Sequence, residues 1–259
     1  MRIKVAILYI CTDKYSIFWK DFFDSYQRFF LPECEKEYFV FTDSPSIYMD
    51  ECDCVHRIYQ EPLGWPNNTL MRFHIFRQCF EKLKRYDYVF FMNANCECMC
   101  TITAEEFLPL DKKLLVVQHP GFFDKTPIEY TYDRNIHSTA FIPIGEGNCY
   151  ICGGVNGGES EAFVKLMETL IDEIDMNNKN GVIAVWHDES HINHYILNRD
   201  DYRMLSPAYC YPEGWKIPFE EKIRIRNKSK YIDVDRIKKN RGDGGWLFRV
   251  LRKIQLLIG

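Results

Sequence analysis

No run of about 18 apolar residues occurs anywhere in this 259-residue chain, so a membrane-spanning helix is not expected. The N-terminus, MRIKVAILYICTDKY, carries only a short, broken apolar run and no small-residue cleavage site, which argues against a secretory signal. A cytoplasmic protein is the expectation. Internal repeats and low-complexity segments are also lacking, so a solenoid or a disordered linker is excluded. The 11 cysteines are odd in number and cannot all pair internally. Cys52/Cys54, Cys96/Cys98/Cys100 and Cys149/Cys152 cluster, but only the last has Cys-x-x-Cys spacing, and no second such pair stands in register with it. Free thiols are therefore expected rather than a metal site or a disulfide framework.

What is present describes an ordered globular chain: 46% of residues are hydrophobic and 15% aromatic. The length suits one large domain or two intimately packed halves, enough to bury a sizeable core. The aromatics fit ordinary core packing; Tyr and Trp also suit sugar rings, whose C–H faces stack on them. The net charge of −4 conceals an asymmetry, because from Lys222 onward 12 Lys/Arg face 3 Asp/Glu, a net of +9 that leaves −13 on the preceding residues. A basic tail on an acidic body points to an anionic partner: a phosphorylated ligand, a membrane surface or, less favoured, nucleic acid.

Lys4–Ile10 is a continuous apolar run of strand length, as in a strand buried on both faces. Phe18, Phe22, Tyr26 and Phe29 follow at helical spacing, with Ser16 as the expected N-cap. Tyr38–Phe41 reads as a second strand, Leu70, Phe73, Phe76, Phe80 and Leu83 as a second helix, and Tyr88–Met92 as a third strand ending in Asn93-Ala94-Asn95. Strands alternating with helices predict a parallel α/β sheet. Ligands in such sheets bind beyond the carboxyl ends of the strands, where Ile10–Tyr15 and Asn93–Asn95 would sit. From about Pro120 to Gly158 the pattern turns irregular, a long loop region of the kind that carries function. Phe163, Leu166, Met167, Leu170, Ile171 and Ile174 then predict an amphipathic helix.

Asn93-Ala94-Asn95 after a buried strand occupies the place where many nucleotide-sugar transferases carry Asp-x-Asp, two carboxylates that hold a divalent cation against a diphosphate. Amides can donate to phosphate or sugar oxygens but bring no charge and bind hard cations poorly. Taken alone, Asn-x-Asn is equally a turn. Four further segments add weight: His119-Pro120-Gly121-Phe122; Tyr130-Thr131-Tyr132-Asp133-Arg134; Tyr150-Ile151-Cys152-Gly153-Gly154-Val155-Asn156-Gly157-Gly158; and Val185-Trp186-His187-Asp188-Glu189-Ser190-His191. Together, and in this order, they resemble glycosyltransferase family 6, which includes the ABO blood-group transferases and the α-1,3-galactosyltransferases. The likeness runs from about Tyr9 to Lys228. The short form with Asn-x-Asn and no anchor segment resembles the family's bacterial branch.

The resemblance implies a GT-A fold, a Rossmann-like and mostly parallel central sheet with helices on both faces. One catalytic domain would span residues 1–230, its nucleotide-binding part about 1–100 and its acceptor-binding part about 101–230, followed by a basic tail over 231–259. It also implies α-retaining transfer of galactose or N-acetylgalactosamine from a UDP-sugar, here without a metal ion or other cofactor. Residue by residue, Ile10, Thr12 and Tyr15 match positions holding uracil and ribose, Arg72 and Asp188 match donor-sugar contacts, and Asn93 and Asn95 replace the metal-binding acids. Ala94, Gly153 and His187 complete the donor set. Glu189 matches the glutamate beneath the anomeric carbon, and Lys228 a C-terminal lysine that reaches the diphosphate. His119, Phe122, Thr131, Trp186 and Glu213 match acceptor contacts. A glycine at the Gly154 position leaves room for an N-acetyl group, which favours UDP-N-acetylgalactosamine over UDP-galactose. The expected acceptor is an oligosaccharide or glycolipid, a galactoside bearing α-1,2-fucose.

Physically, Glu189 suits its role, since breaking an anomeric C–O bond creates oxocarbenium-like charge that a carboxylate stabilises or traps. Two other classes compete. A carbohydrate-binding module explains the aromatics but not the α/β pattern, and a glycoside hydrolase would need its two carboxylates to flank one bond, which adjacent Asp188 and Glu189 seldom can. At the C-terminus, Leu247, Val250, Leu251, Ile254, Leu257 and Ile258 share one helical face, with Arg249, Arg252 and Lys253 off it. That pattern fits either an interfacial helix on anionic lipid, giving peripheral contact with the inner face of the membrane, or packing on the protein body.

Overall fold

A computed structural model describes residues 2–233. A seven-stranded sheet forms its centre, in the order β3-β2-β1-β4-β7-β6-β8. These strands are β1 (Lys4–Ile10), β2 (Glu35–Thr42), β3 (Val55–Tyr59), β4 (Tyr88–Met92), β6 (Leu114–Gln118), β7 (Ile151–Glu159) and β8 (Tyr202–Leu205). A three-stranded sheet joins β5 (Cys96–Cys98), β10 (Ile223–Ile225) and β9 (Tyr211–Pro212), with β10 in the middle. The principal helices are α1 (Trp19–Phe29), α6 (Ser160–Lys179) and α7 (Asp188–Ile196). Between them lie the short turns α2 (Asn67–Leu70), α3 (Arg72–Phe76), α4 (Phe80–Leu83) and α5 (Ala104–Phe107). Among the described residues no helix is long and apolar enough to cross a membrane. The amphipathic segment expected over 245–259, and with it the proposed membrane contact, lies outside the described residues.

Period-two alternation along β1 divides the core. Val5, Ile7 and Tyr9 point to one face, against Trp19, Phe22 and Tyr26 of α1, while Ala6 and Leu8 point to the other, against Phe73, Phe76 and the apolar stripe of α6. Each buried aromatic contributes roughly 1.5–3 kcal/mol relative to exposure. Helices thus cover both faces, and the mixed α/β architecture with a mostly parallel sheet is as expected.

Three local expectations need correction. Ser16 does not cap a helix: it lies within a 3₁₀ turn, Asp13–Phe18, its hydroxyl donates to the Asp13 carbonyl at 3.1 Å, and α1 starts only at Trp19. The helix expected over Leu70–Leu83 is broken into pieces, although its periodic residues are all buried. Most importantly, the supposed irregular region ends in β7, a nine-residue strand that runs antiparallel to both β4 and β6.

The glycines of β7 hide its strand character because they offer no apolar signal, yet the sheet requires them. A Cβ on Gly157 would lie 2.3 Å from the Val89 carbonyl oxygen and 2.3 Å from the Phe90 ring, and one on Gly158 would lie 2.2 Å from the Lys113 carbonyl. Backbone cannot yield as a flexible side chain can. Gly157→Ala is expected to destabilise the fold by at least about 2 kcal/mol, lowering the melting temperature by roughly 4–8 °C in thermal unfolding; an unchanged melting temperature would contradict this packing.

Candidate active site

A cavity of about 380 Å³ opens at the carboxyl ends of β1 and β4. Because β7 runs antiparallel, its beginning lies at that same end, and Asn93 N–H donates to the Gly154 carbonyl at 2.9 Å. The turn after β4 is fixed from beneath, where the Tyr9 hydroxyl donates to the Ala94 carbonyl at 2.8 Å. Asn93, Ala94, Asn95, Gly153 and Gly154 form one wall of the cavity, and Ile10, Thr12 and Tyr15 at the end of β1 form another. The remaining walls come from Trp65, Asn68, Thr69 and Arg72, from Phe91, from Trp186–Glu189 before and at the start of α7, and from Lys228.

The charges are arranged around the backbone of Gly153. Arg72 is buried, donates to the Gly153 carbonyl at 2.8 Å, pairs with Asp188 at 2.6 Å and lies 4.1 Å over the Phe91 ring. Asp188 is also buried, and desolvation lifts its pKa to about 6 against the opposing pull of Arg72. Glu189 accepts from Gly153 N–H at 2.8 Å and from the Tyr150 hydroxyl at 3.1 Å. Burial raises its pKa, and these two donors oppose the rise. A Cβ on Gly153 would meet Glu189 at 3.1 Å, so glycine there lets the carboxylate lie against the strand. Gly154 similarly admits the Asn93 amide, 2.7 Å from where its Cβ would stand.

The chain reaches α7 through His187 at φ 57°, a conformation that costs a non-glycine residue on the order of 1–3 kcal/mol and is typical of functional sites. The acids Asp188 and Glu189 then occupy the first turn, where the helix dipole favours negative charge. Across the cavity Lys228 stands at the mouth with its ammonium 5.8 Å from the Tyr15 ring. Desolvation, and then the positive charge of Arg72, lower its pKa. An anion bound between these two cations would relieve their repulsion. Two cations for a departing anion and a firmly held carboxylate nearby make a site suited to separating charge across a breaking bond.

A family model, Glycosyltransferase family 6, matches residues 1–238. The chain belongs to glycosyltransferase family 6. It is 34% identical over 235 residues to the O-antigen biosynthesis glycosyltransferase WbnI of Escherichia coli, covering 91% of this chain and 99% of that protein. It is 27% identical over 250 residues to the histo-blood group ABO system transferase 1 of Rattus norvegicus, 89% and 66% of the two chains. It is also 25% identical over 225 residues to a globoside α-1,3-N-acetylgalactosaminyltransferase 1 of Gallus gallus, 82% and 63% of the two. A glycosyltransferase acts with a sugar donor and a glycan acceptor, which agrees with the coarse reading of the sequence.

Of the residues selected from sequence, Ile10, Thr12, Tyr15, Arg72, Asn93, Ala94, Asn95, Gly153, Gly154, Trp186, His187, Asp188, Glu189 and Lys228 all line this family 6 cavity. His119, Phe122, Thr131 and Glu213 do not. His119 and Phe122 pack on Tyr150, at ring distances of 5.6 and 4.4 Å, in an aromatic cluster with Tyr130, Tyr132 and Trp186 that adjoins the cavity. Thr131 lies between Tyr130 and Tyr132. Glu213 is engaged elsewhere, accepting from Asn227 N–H at 2.6 Å and from the Lys230 ammonium at 2.7 Å. Sequence reasoning missed Trp65, Asn68, Thr69 and Phe91 in the lining, and Tyr150 behind Glu189. Tyr150 stood inside the glycine-rich motif, where a phenol beside a strand start was the available signal; Trp65 and its neighbours had none beyond a Trp-Pro loop. Cys149 and Cys152 part company, Cys152 Sγ lying 2.7 Å from that of Cys210 and Cys149 near the Tyr202 hydroxyl.

Burial depresses the pKa of His119 to about 4, and its Nδ1 accepts from Gly121 N–H at 3.0 Å, so the neutral ring is the folded form. A depressed pKa gives stability that is full above the unfolded value of about 6.5 and is lost as pH falls toward 4. His119→Gln is expected to remove about 2 kcal/mol of the acid destabilisation between pH 6.5 and 4, measured by denaturant unfolding across that range; an unaltered pH slope would refute it.

Proposed function

We propose that the chain transfers N-acetylgalactosamine from UDP-N-acetylgalactosamine, with retention and in α-1,3 linkage, to a galactoside acceptor carrying α-1,2-fucose, without a metal ion. The observation that carries this reading is the joint placement of Glu189, Arg72–Asp188 and Lys228 around one cavity. The donor's anomeric C–O bond breaks, the electron pair leaves with UDP, the acceptor oxygen bonds to the anomeric carbon, and its proton passes to the departing phosphate. Glu189, held by Gly153 N–H and Tyr150, stabilises positive charge at the anomeric carbon. Lys228 and Arg72 offset negative charge on the diphosphate, and the turn Asn93-Ala94-Asn95 stands where a cation's ligands would otherwise be required. Arg72 and Asp188 orient the sugar, and the half-buried His119, Phe122 and Trp186 at the edge of the Tyr150 cluster offer the acceptor stacking surfaces.

The preference for N-acetylgalactosamine is supported by Gly154 in the cavity lining, which adds no side chain there and lets the Asn93 amide lie back against the strand, and by the name of the globoside relatives. The acceptor would be presented on an oligosaccharide or a glycolipid.

A metal-free panel of UDP-sugars against fucosylated and plain galactosides, read by mass spectrometry, tests the assignment. The expected product is the N-acetylgalactosaminylated fucosyl-galactoside, formed equally well with excess EDTA, and Lys228→Ala should cut the rate at least about tenfold. Dependence on added manganese, or product only from UDP-galactose, would overturn the corresponding part of the proposal. Glu189→Gln should lower turnover about 10²-fold or more while calorimetry still registers UDP; near-normal turnover would remove Glu189 from the mechanism.

A further inference from the structure

The two asparagines of the Asn93-Ala94-Asn95 turn are not equivalent. Asn95 is buried, its side-chain Nδ2 donates to the Arg226 carbonyl at 2.6 Å, and its own carbonyl accepts from Arg226 N–H at 2.8 Å. One residue thus closes two bonds on the same peptide neighbour. Together they extend the antiparallel β5–β10 ladder, in which Cys96 faces Ile225, by one step into the cavity wall. Two residues beyond Arg226 stands Lys228, at the cavity mouth.

Backbone pairing of β10 with β5 and β9 and the bond from Asn227 N–H to Glu213 also hold this segment, and its remaining side-chain ties are ion pairs. The Arg226 guanidinium pairs with Asp21 at 2.7 Å and lies 4.2 Å over Tyr231, while Lys230 pairs with Glu213 at 2.7 Å. Asp21 and Lys230 have side chains 50% and 56% exposed, so these ion pairs are screened by water. The Asn95 amide-to-carbonyl bond is partly buried and so less open to competition from water.

We propose that Asn95 is a positioning residue: its amide moors the C-terminal strand and so sets the reach of Lys228 into the cavity. This rests on the reading of Lys228 as the cation that serves the diphosphate. The chemistry demands an amide, because the partner is a carbonyl oxygen. A carboxylate at position 95 would set acceptor against acceptor in a buried place, and the strand would be released rather than gripped.

Two measurements on the full chain test this. In hydrogen exchange of the ligand-free protein, Asn95→Asp should speed exchange over residues 223–231 about tenfold, a factor equal to about 1.4 kcal/mol, and leave β1 and β4 unchanged. Unaltered protection of that segment overturns the proposal whether or not the chain binds UDP. In calorimetry with UDP, Asn95→Asp and Lys228→Ala should each weaken binding about tenfold, and the double variant should bind no more weakly than Lys228→Ala alone. Additive losses would mean that Asn95 acts on the donor directly and would also overturn it. Failure of the unsubstituted chain to bind UDP would instead overturn the donor reading, leaving the exchange result to decide the mooring. Asn95→Ala, which removes the donor without adding charge, serves if the aspartate variant does not fold.

Discussion

One residue, Gly153, organises the site through the two peptide groups that flank its Cα. The Gly153 carbonyl receives the buried Arg72, and its N–H, at the same distance of 2.8 Å, donates to Glu189. The first bond holds the cation that pairs with Asp188, and the second aims the neighbouring carboxylate. Asn156 Nδ2 adds a further bond to the same carbonyl at 3.1 Å, and Asn193 of α7 clasps both backbone groups of Ile151. Strand β7 therefore fixes α7 and the short α3 relative to each other through main-chain groups, which cannot rotate away as side chains can.

That role explains why so much glycine stands in the middle of a sheet, where it is ordinarily unfavourable. Gly157 and Gly158 permit β4 and β6 to close on β7, and Gly153 and Gly154 permit Glu189 and Asn93 to lie against it. The cost in strand propensity is offset by packing on both sides and by the ladder to two neighbours. The reversed direction of β7 matters equally. It brings Gly153 and Gly154 to the carboxyl ends of β1 and β4, which is where the crevice of an α/β sheet lies.

Electrostatically the site balances two acids at the first turn of α7 against Arg72 and Lys228. Arg72, Asp188 and Glu189 are taken from water, Lys228 is exposed at the mouth although its ammonium turns toward the cavity, and desolvation is the largest influence on Asp188, Glu189 and Lys228 alike. Charges held this way need no reorganisation when a substrate's charge changes, the property that makes a preorganised site effective. The position of Lys228 depends on elements far apart in sequence: Asn95, Asp21 and Glu213 all hold the short segment that carries it.

The sequence by itself determined the strands β1 and β4, the amphipathic α6, the mixed α/β class and, through ordered rare motifs, the family and most of the cavity lining. Those features are local: an apolar run, a helical period or a motif reads the same wherever the chain goes. Tertiary structure alone decided that the glycine-rich segment is a central antiparallel strand, since its pairing partners at 88–92 and 114–118 supply the reason for it and its own residues give no periodic signal. It also decided that Asn95 turns to Arg226 while Glu213 turns to Lys230 and Asn227, because such bonds join residues 14 to 131 positions apart and no spacing announces them.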